Sequence, residues 1–230
     1  MDPAFERRAW TLIYVCLGVI EGGTAAVMVR SLFGQTVQGI TVDLVLALVS
    51  SAPAWANLVS LAFARRAQGR PKIAFLQPLI VTLAVLVAAL ALVPTGRGGL
   101  AVFLLLYVAA RLVWAGIDTV RSVIWSVNYP RHLRATVTGH IMINGAIAIA
   151  LGGLLLGWLL ELDGPWFRVA IWAAGLCGLA GGWAFRRLGV RDEEELLEAE
   201  RDRMREGARF DLAGIRRLLA TDADFRHYML

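Results

Sequence analysis

Lysine is nearly missing from this chain: of 23 basic residues, only Lys72 is not an arginine. Histidine occurs three times, as His132, His140 and His227, and cysteine twice, as Cys16 and Cys177. Both cysteines sit inside apolar runs. That excludes a disulfide framework and cysteine-based metal spacing, and fits small buried hydrophobes instead. No H-E-x-x-H or G-x-S-x-G pattern occurs, and no histidine lies near the centre of an apolar run. An intramembrane enzyme would need such convergent groups, so the reading is a protein without catalytic residues, metal or cofactor. Alternation of period two at strand length is also absent, which argues against a transmembrane β-barrel. Charge itself is scarce. Charged residues make up 18% of the chain and hydrophobic ones 58%, where an ordinary soluble domain carries about 25% charge.

What remains is long apolar runs, each near the roughly 20 residues needed to cross about 30 Å of hydrocarbon. They cover about Ala9 to Val29, Val42 to Ala64, Ile73 to Val93, Gly99 to Val123, Ala135 to Leu160 and Phe167 to Phe185. This is the pattern of an all-α membrane protein with six transmembrane helices. The first run follows Arg7 and Arg8 closely and is too long for a cleaved leader, so it reads as a retained span.

The net charge of +5 does not point to nucleic acid, because the arginines cluster at the ends of apolar runs. One side collects Arg7, Arg8, Arg65, Arg66, Arg70, Lys72, Arg131, Arg134, Arg186, Arg187 and Arg191. The other holds Arg30, Arg97 and Arg168. The positive-inside rule then places both termini in the cytoplasm of a cell whose inner membrane holds the protein. Residues 1–190 form the membrane domain. Residues 191–224 form a cytoplasmic linker: RDEEELLEAERDRMREGAR is densely charged at helical offsets, and Phe210, Leu212, Ile215, Leu218 and Leu219 then make an amphipathic stripe suited to the membrane surface. Residues 225–230, ending HYML, read as the start of a further span and of a missing second half.

The informative charges lie within the runs. Arg111, Trp114, Asp118, Arg121 and Trp125 fall at steps of three and four, on one helical face. Charge at bilayer depth costs about 3 kcal/mol or more per group, so that face must meet protein or water. The opposite face, with Leu105, Val108, Val113, Ile117 and Val120, is free to meet lipid or neighbouring helices. Glu21 interrupts the first run. Counted at 1.5 Å per residue, Glu21 and Arg111 reach similar depths, and an ion pair between them would lower the cost of each. Asp118 lies nearer the cytoplasm, with Arg121 at i+3. It is either a proton or substrate site or a structural lock of the bundle. Asn57, Gln77 and Asn144 are polar groups at comparable depth, lining a pathway or bonding between helices. Trp114 either stacks on a substrate or fills the core. Gly153 and Gly157, and Gly178 and Gly182, stand four apart and favour close helix packing.

Taken together the chain resembles the N-terminal half of a major facilitator superfamily transporter. The family's loop signature G-x-x-x-D-R-x-G-R-R corresponds to AFARRAQGRPK, in which Gly69 and Arg70 match, while Arg66 stands at the acidic position and Ala62 at the first glycine. Arg111 matches the arginine that the drug–proton antiporter branch carries in its fourth span, with Trp114 and Ala115 replacing the following glutamine and glycine. Gly152 and Gly157 match that branch's fifth-span glycines, with Gly153 in place of the proline. The resemblance implies a half bundle of 3+3 inverted repeats, with spans one and four lining a central cavity. It also implies an inner gate near Gly69, Arg70 and Arg121, a second six-helix half as partner, and alternating-access transport of a small solute coupled to protons or sodium. Glu21, Arg111 and Asp118 would be the central residues of that pathway. A half-length binding or assembly subunit that does not transport is the alternative.

Overall fold

The computed structural model describes residues 3–35, 40–162 and 164–205. The described residues are mostly helical, with no strand among them. Six helical segments are long and apolar enough to cross a membrane, and the protein is a polytopic helical membrane protein. The chain divides into two units, one ending at Arg191 and one beginning at Asp192.

The first span is not one helix. α1 (Pro3–Val19) and α2 (Gly22–Phe33) are separated at Ile20 and Glu21. There the amides of Ile20 and Glu21 turn back to carbonyls three residues earlier, at 2.9 and 3.4 Å. Glu21 adopts an extended conformation, with φ −66° and ψ 142°, and caps α2. Gly22 and Gly23 follow it, and two consecutive glycines weaken helix continuity. The second span is also interrupted. α3 (Ile40–Ala56) passes through one tight 3₁₀ turn, Asn57–Val59, into α4 (Ser60–Ala67).

α5 (Lys72–Leu90) ends three residues short of the expected boundary, because Ala91 to Val93 already bond in i→i−3 fashion. α6 (Arg97–Asn128) and α7 (Arg131–Glu161) run well past the apolar runs. Hydropathy marks where hydrocarbon ends, not where a helix must stop. The stop comes from Pro130, which disfavours helical geometry at Tyr129 (φ −117°, ψ 125°). Arg134 reaches back to the Tyr129 carbonyl at 3.3 Å and also to that of Ser126, satisfying the last carbonyls of α6. α8 (Trp166–Phe185) completes the bundle.

The main neighbours are α1 with α7 and α8, α5 with α6 and α8, α2 with α3 and α7, and α6 with α3 and α4. α8 is the tightest seam. A methyl group at Gly181 would sit 2.8 Å from Ile13 Cγ1 and 3.0 Å from the Ala9 carbonyl oxygen, and one at Gly178 would sit 2.9 Å from Cys16 Sγ. Gly182 likewise faces Ile80, at 3.1 Å. Gly157 differs: nothing lies within 4 Å of its Cβ direction, so of the two spaced pairs only Gly178 and Gly182 both serve close packing. Gly145 is a packing glycine that spacing did not mark; the Tyr14 ring fills its place, 2.6 Å from where a Cβ would stand.

Two details show how the membrane segments satisfy their backbone. Pro53 lacks an N–H and so leaves the Val49 carbonyl without its helical donor. The Tyr107 hydroxyl, from α6, donates to that carbonyl at 2.8 Å. Lys72, 1% exposed, donates from Nζ to the carbonyls of Ala67 (2.8 Å) and Arg70 (3.2 Å). The chain's sole lysine thus closes the end of α4 across the turn. Gly69 in that turn has φ +66°, a left-handed conformation that glycine adopts without penalty.

In the second unit, α9 (Glu193–Arg205) covers the start of the charged segment, with Glu193, Glu194 and Glu195 in its first turn. Acidic residues there complement the positive end of the helix dipole. The stripe from Phe210 to Leu219 and residues 225–230 lie outside the described residues.

Candidate functional site

α1 and α6 run antiparallel, and their backbones scarcely touch. Large side chains bridge them, in rungs that follow the opposed directions of the two helices. At the arginine-rich end, Glu6 is fully buried. Its carboxylate accepts the indole N–H of Trp125 at 2.8 Å, that of Trp10 at 3.2 Å, and the Tyr129 hydroxyl. Three donors compensate the cost of burying the acid. Burial, and the bond donated to Glu6, hold the Tyr129 hydroxyl above its ordinary pKa.

The next rung is Arg121. Its guanidinium carbon lies 4.5 Å from the Trp125 ring centroid, 5.4 Å from Trp10, 5.6 Å from Trp114 and 5.8 Å from Tyr14. It donates to the Tyr14 hydroxyl and pairs with Asp118. The Tyr14 hydroxyl in turn donates to the sulfur of Met142 at 3.1 Å. Each ring face offers a guanidinium about 0.5–2 kcal/mol, more when water is excluded. Asp118 differs from its partner in exposure: its side chain is 48% accessible, that of Arg121 8%.

The third rung is at the helix break. Arg111 Nη1 lies 3.3 Å from Glu21 Oε2. Arg111 is 5% exposed and Glu21 39%. The break itself places the acid. With Glu21 extended, its carbonyl opens α2 by accepting from Ala25 at 2.8 Å, and the carboxylate lies at the positive end of that helix dipole. Nε of Arg111 is buried and has no hydrogen-bond partner, so the guanidinium retains donor capacity beyond its bond to Glu21. In each of the two pairs, a buried arginine holds a carboxylate that is open on one side.

The structure thus brings Glu21 and Arg111 together, and Asp118 and Arg121. Trp114 stands between the two pairs, half-buried, 5.8 Å from Tyr14 centroid to centroid. The other sequence candidates are not part of this column. Asn57 is exposed at the start of the 3₁₀ turn, and Gln77 is half-buried on α5. Asn144 lines a separate cleft of about 450 Å³ with Thr11 and Gly152. Gly69 and Arg70 belong to the turn closed by Lys72. Of the face opposite the charges, Leu105 is 72% exposed whereas Ile117 and Val120 are buried against protein.

Glu6, Trp10, Tyr14 and Tyr129 are parts of the column that the sequence reading did not single out. A signal was present: Glu6, Trp10 and Tyr14 are spaced at i, i+4 and i+8, on one helical face. Comparison with protein-family models, curated proteins and solved structures finds no match for the chain.

Proposed function

We propose that the chain is a six-helix half of a secondary transporter of the major facilitator type, and that its first and fourth spans line the pathway of a small solute. The observation that carries this reading is the Glu21–Arg111 pair. A discontinuous span, with a partly open carboxylate at its break and a buried arginine facing it, costs stability in a membrane and marks a solute or ion pathway. The pattern of neighbours supports it as well. Exchanging the first three spans for the last three maps the strongest contacts onto themselves: one with six becomes four with three, one with five becomes four with two, and three with six is unchanged, whereas the contact of spans one and two through α2 and α3 has only a weak counterpart between α6 and α7. Inverted three-helix repeats would give this pattern. A second six-helix bundle, on the same chain or another, would complete the cavity, and the arginine-rich ends would face the cytoplasm of the inner membrane.

In this mechanism Glu21 and Asp118 are the ion-binding carboxylates. Arg111 pairs with Glu21 until a proton, a sodium ion or an anionic solute group competes for the pair. Trp114 and Tyr14 give the space between the pairs an aromatic wall. No cofactor enters the cycle.

The test is uptake of a panel of labelled small solutes into vesicles containing the protein and its second bundle, with and without an imposed proton or sodium gradient. Glu21→Gln should abolish gradient-driven accumulation while leaving solute exchange. Reversing the pair, Glu21→Arg with Arg111→Glu, should recover part of the activity that either single change removes. Full accumulation by Glu21→Gln would reject the assignment, and absence of any transported solute would reject the function.

A further inference from the structure

We infer that the arginine-rich end of the bundle carries a binding site for one anionic phospholipid, with its phosphate on Arg187 and Arg191. A cleft of about 900 Å³ opens there. Four chain segments converge on it: the start of α1, the junction of α6 with α7, the first turns of α7, and the segment following α8. Its walls are mainly apolar, with Phe5, Leu133, Val137 and Leu188, and the two guanidinium-bearing residues stand among them. A free small anion needs no apolar wall, and an acyl chain needs no arginine. The combination fits a molecule with an anionic head and a hydrocarbon tail.

The site is built rather than incidental. The side chain of Asn128 donates to the Gly189 carbonyl at 3.2 Å and accepts the Arg191 amide at 2.8 Å. That clasp ties the segment after α8 to the end of α6, and so fixes the backbone that bears Arg191. Arg187 is exposed, and its guanidinium carbon lies 4.5 Å from the centroid of the Trp183 ring. Trp183 is itself 59% exposed on α8. An exposed tryptophan in the last turn of a helix, under an arginine, is the arrangement expected at the boundary between hydrocarbon and headgroups. The ends of α1, α6, α7 and α8 all terminate at this level, where further exposed arginines, Arg7, Arg8 and Arg131, raise the local positive potential. The inference needs the helices to span a bilayer. It does not depend on transport, on the second bundle or on which leaflet the site meets.

Thermal unfolding of the full chain in nanodiscs tests it. In discs containing phosphatidylglycerol the protein should melt higher than in pure phosphatidylcholine. Arg187→Gln and Arg191→Gln should each weaken the preference for the anionic lipid by roughly fivefold, the contribution of one basic residue near a charged surface. Arg187→Lys should retain most of that preference. All three should melt like the parent in phosphatidylcholine, which separates lost binding from lost folding. Arg30→Gln, on an exposed arginine in α2, should leave the preference intact. Equal melting in the two lipids would overturn the inference, as would a preference that survives the double Gln substitution or falls equally with Arg30→Gln. Glycerol phosphate in solution should not reproduce the shift in phosphatidylcholine discs; if it does, the ligand is a free phosphate and the lipid assignment fails.

Discussion

At the scale of single residues, the energetics are decided by polar atoms that lipid would not satisfy. Tyr107 shows this most simply. Its hydroxyl replaces the donor that Pro53 removes from α3. Tyr107→Phe keeps the ring packing and leaves the Val49 carbonyl orphaned, so unfolding in a denaturant titration should be easier by about 1–3 kcal/mol. Glu6 is the reverse case, one acceptor serving three donors. Glu6→Ala should cost more than Glu6→Gln, whose amide oxygen still accepts, and the difference should appear as a lower melting temperature together with altered Trp10 and Trp125 fluorescence. Equal melting of the two variants would mean that the carboxylate is not what holds the rung together. Neither role was legible in the sequence. A tyrosine in an apolar run and a glutamate close to a terminus both have commoner explanations, and their partners lie 58 residues away for Tyr107 and up to 123 for Glu6.

At the scale of elements, glycines set which helices can touch. α8 presents Gly178, Gly181 and Gly182 to α1 and α5, close enough that a methyl at Gly181 meets a backbone carbonyl. Backbone cannot move aside as a side-chain end can. Gly181→Val should therefore destabilise the bundle by about 1–3 kcal/mol, as overpacking does elsewhere. Gly157→Ala, at a position facing open space, should be neutral or stabilising by up to about 1 kcal/mol through helix propensity. Chemical denaturation of both variants reads the contrast, and a large loss at Gly157 would show that this face is covered in the membrane. Element positions were readable from the apolar runs, whereas element ends were not. α6 and α7 extend beyond the hydrocarbon-length runs until Pro130 interrupts them. The first span is broken at Glu21, where the run alone suggested one continuous helix. A charge in a run shows that something unusual is solvated there; the direction taken by the backbone depends on what the charge meets.

At the scale of the whole molecule, the distribution of arginine predicts a single orientation. Cysteine placed at Gln68 or Asp192 should react with a membrane-impermeant reagent from one side only, and cysteine at Thr95 from the other. Labelling of Gln68→Cys and Thr95→Cys from the same side would refute the six-span topology. Composition and patterning were sufficient to determine an all-helical chain, six bilayer-length segments, and charged residues of the first and fourth runs that must avoid lipid. Those conclusions follow from transfer energies, which depend on residue type and spacing alone. Depth and spacing already suggested the pairs Glu21–Arg111 and Asp118–Arg121; only the tertiary structure decided how each pair is reached and what encloses it. Arg111 reaches Glu21 because α2 starts anew at the break, and Arg121 is enclosed by four rings because α1 and α6 stand far enough apart for side chains to fill the gap. Pairing energy depends on distance and on what excludes water, and both are fixed by how helices remote in sequence pack together.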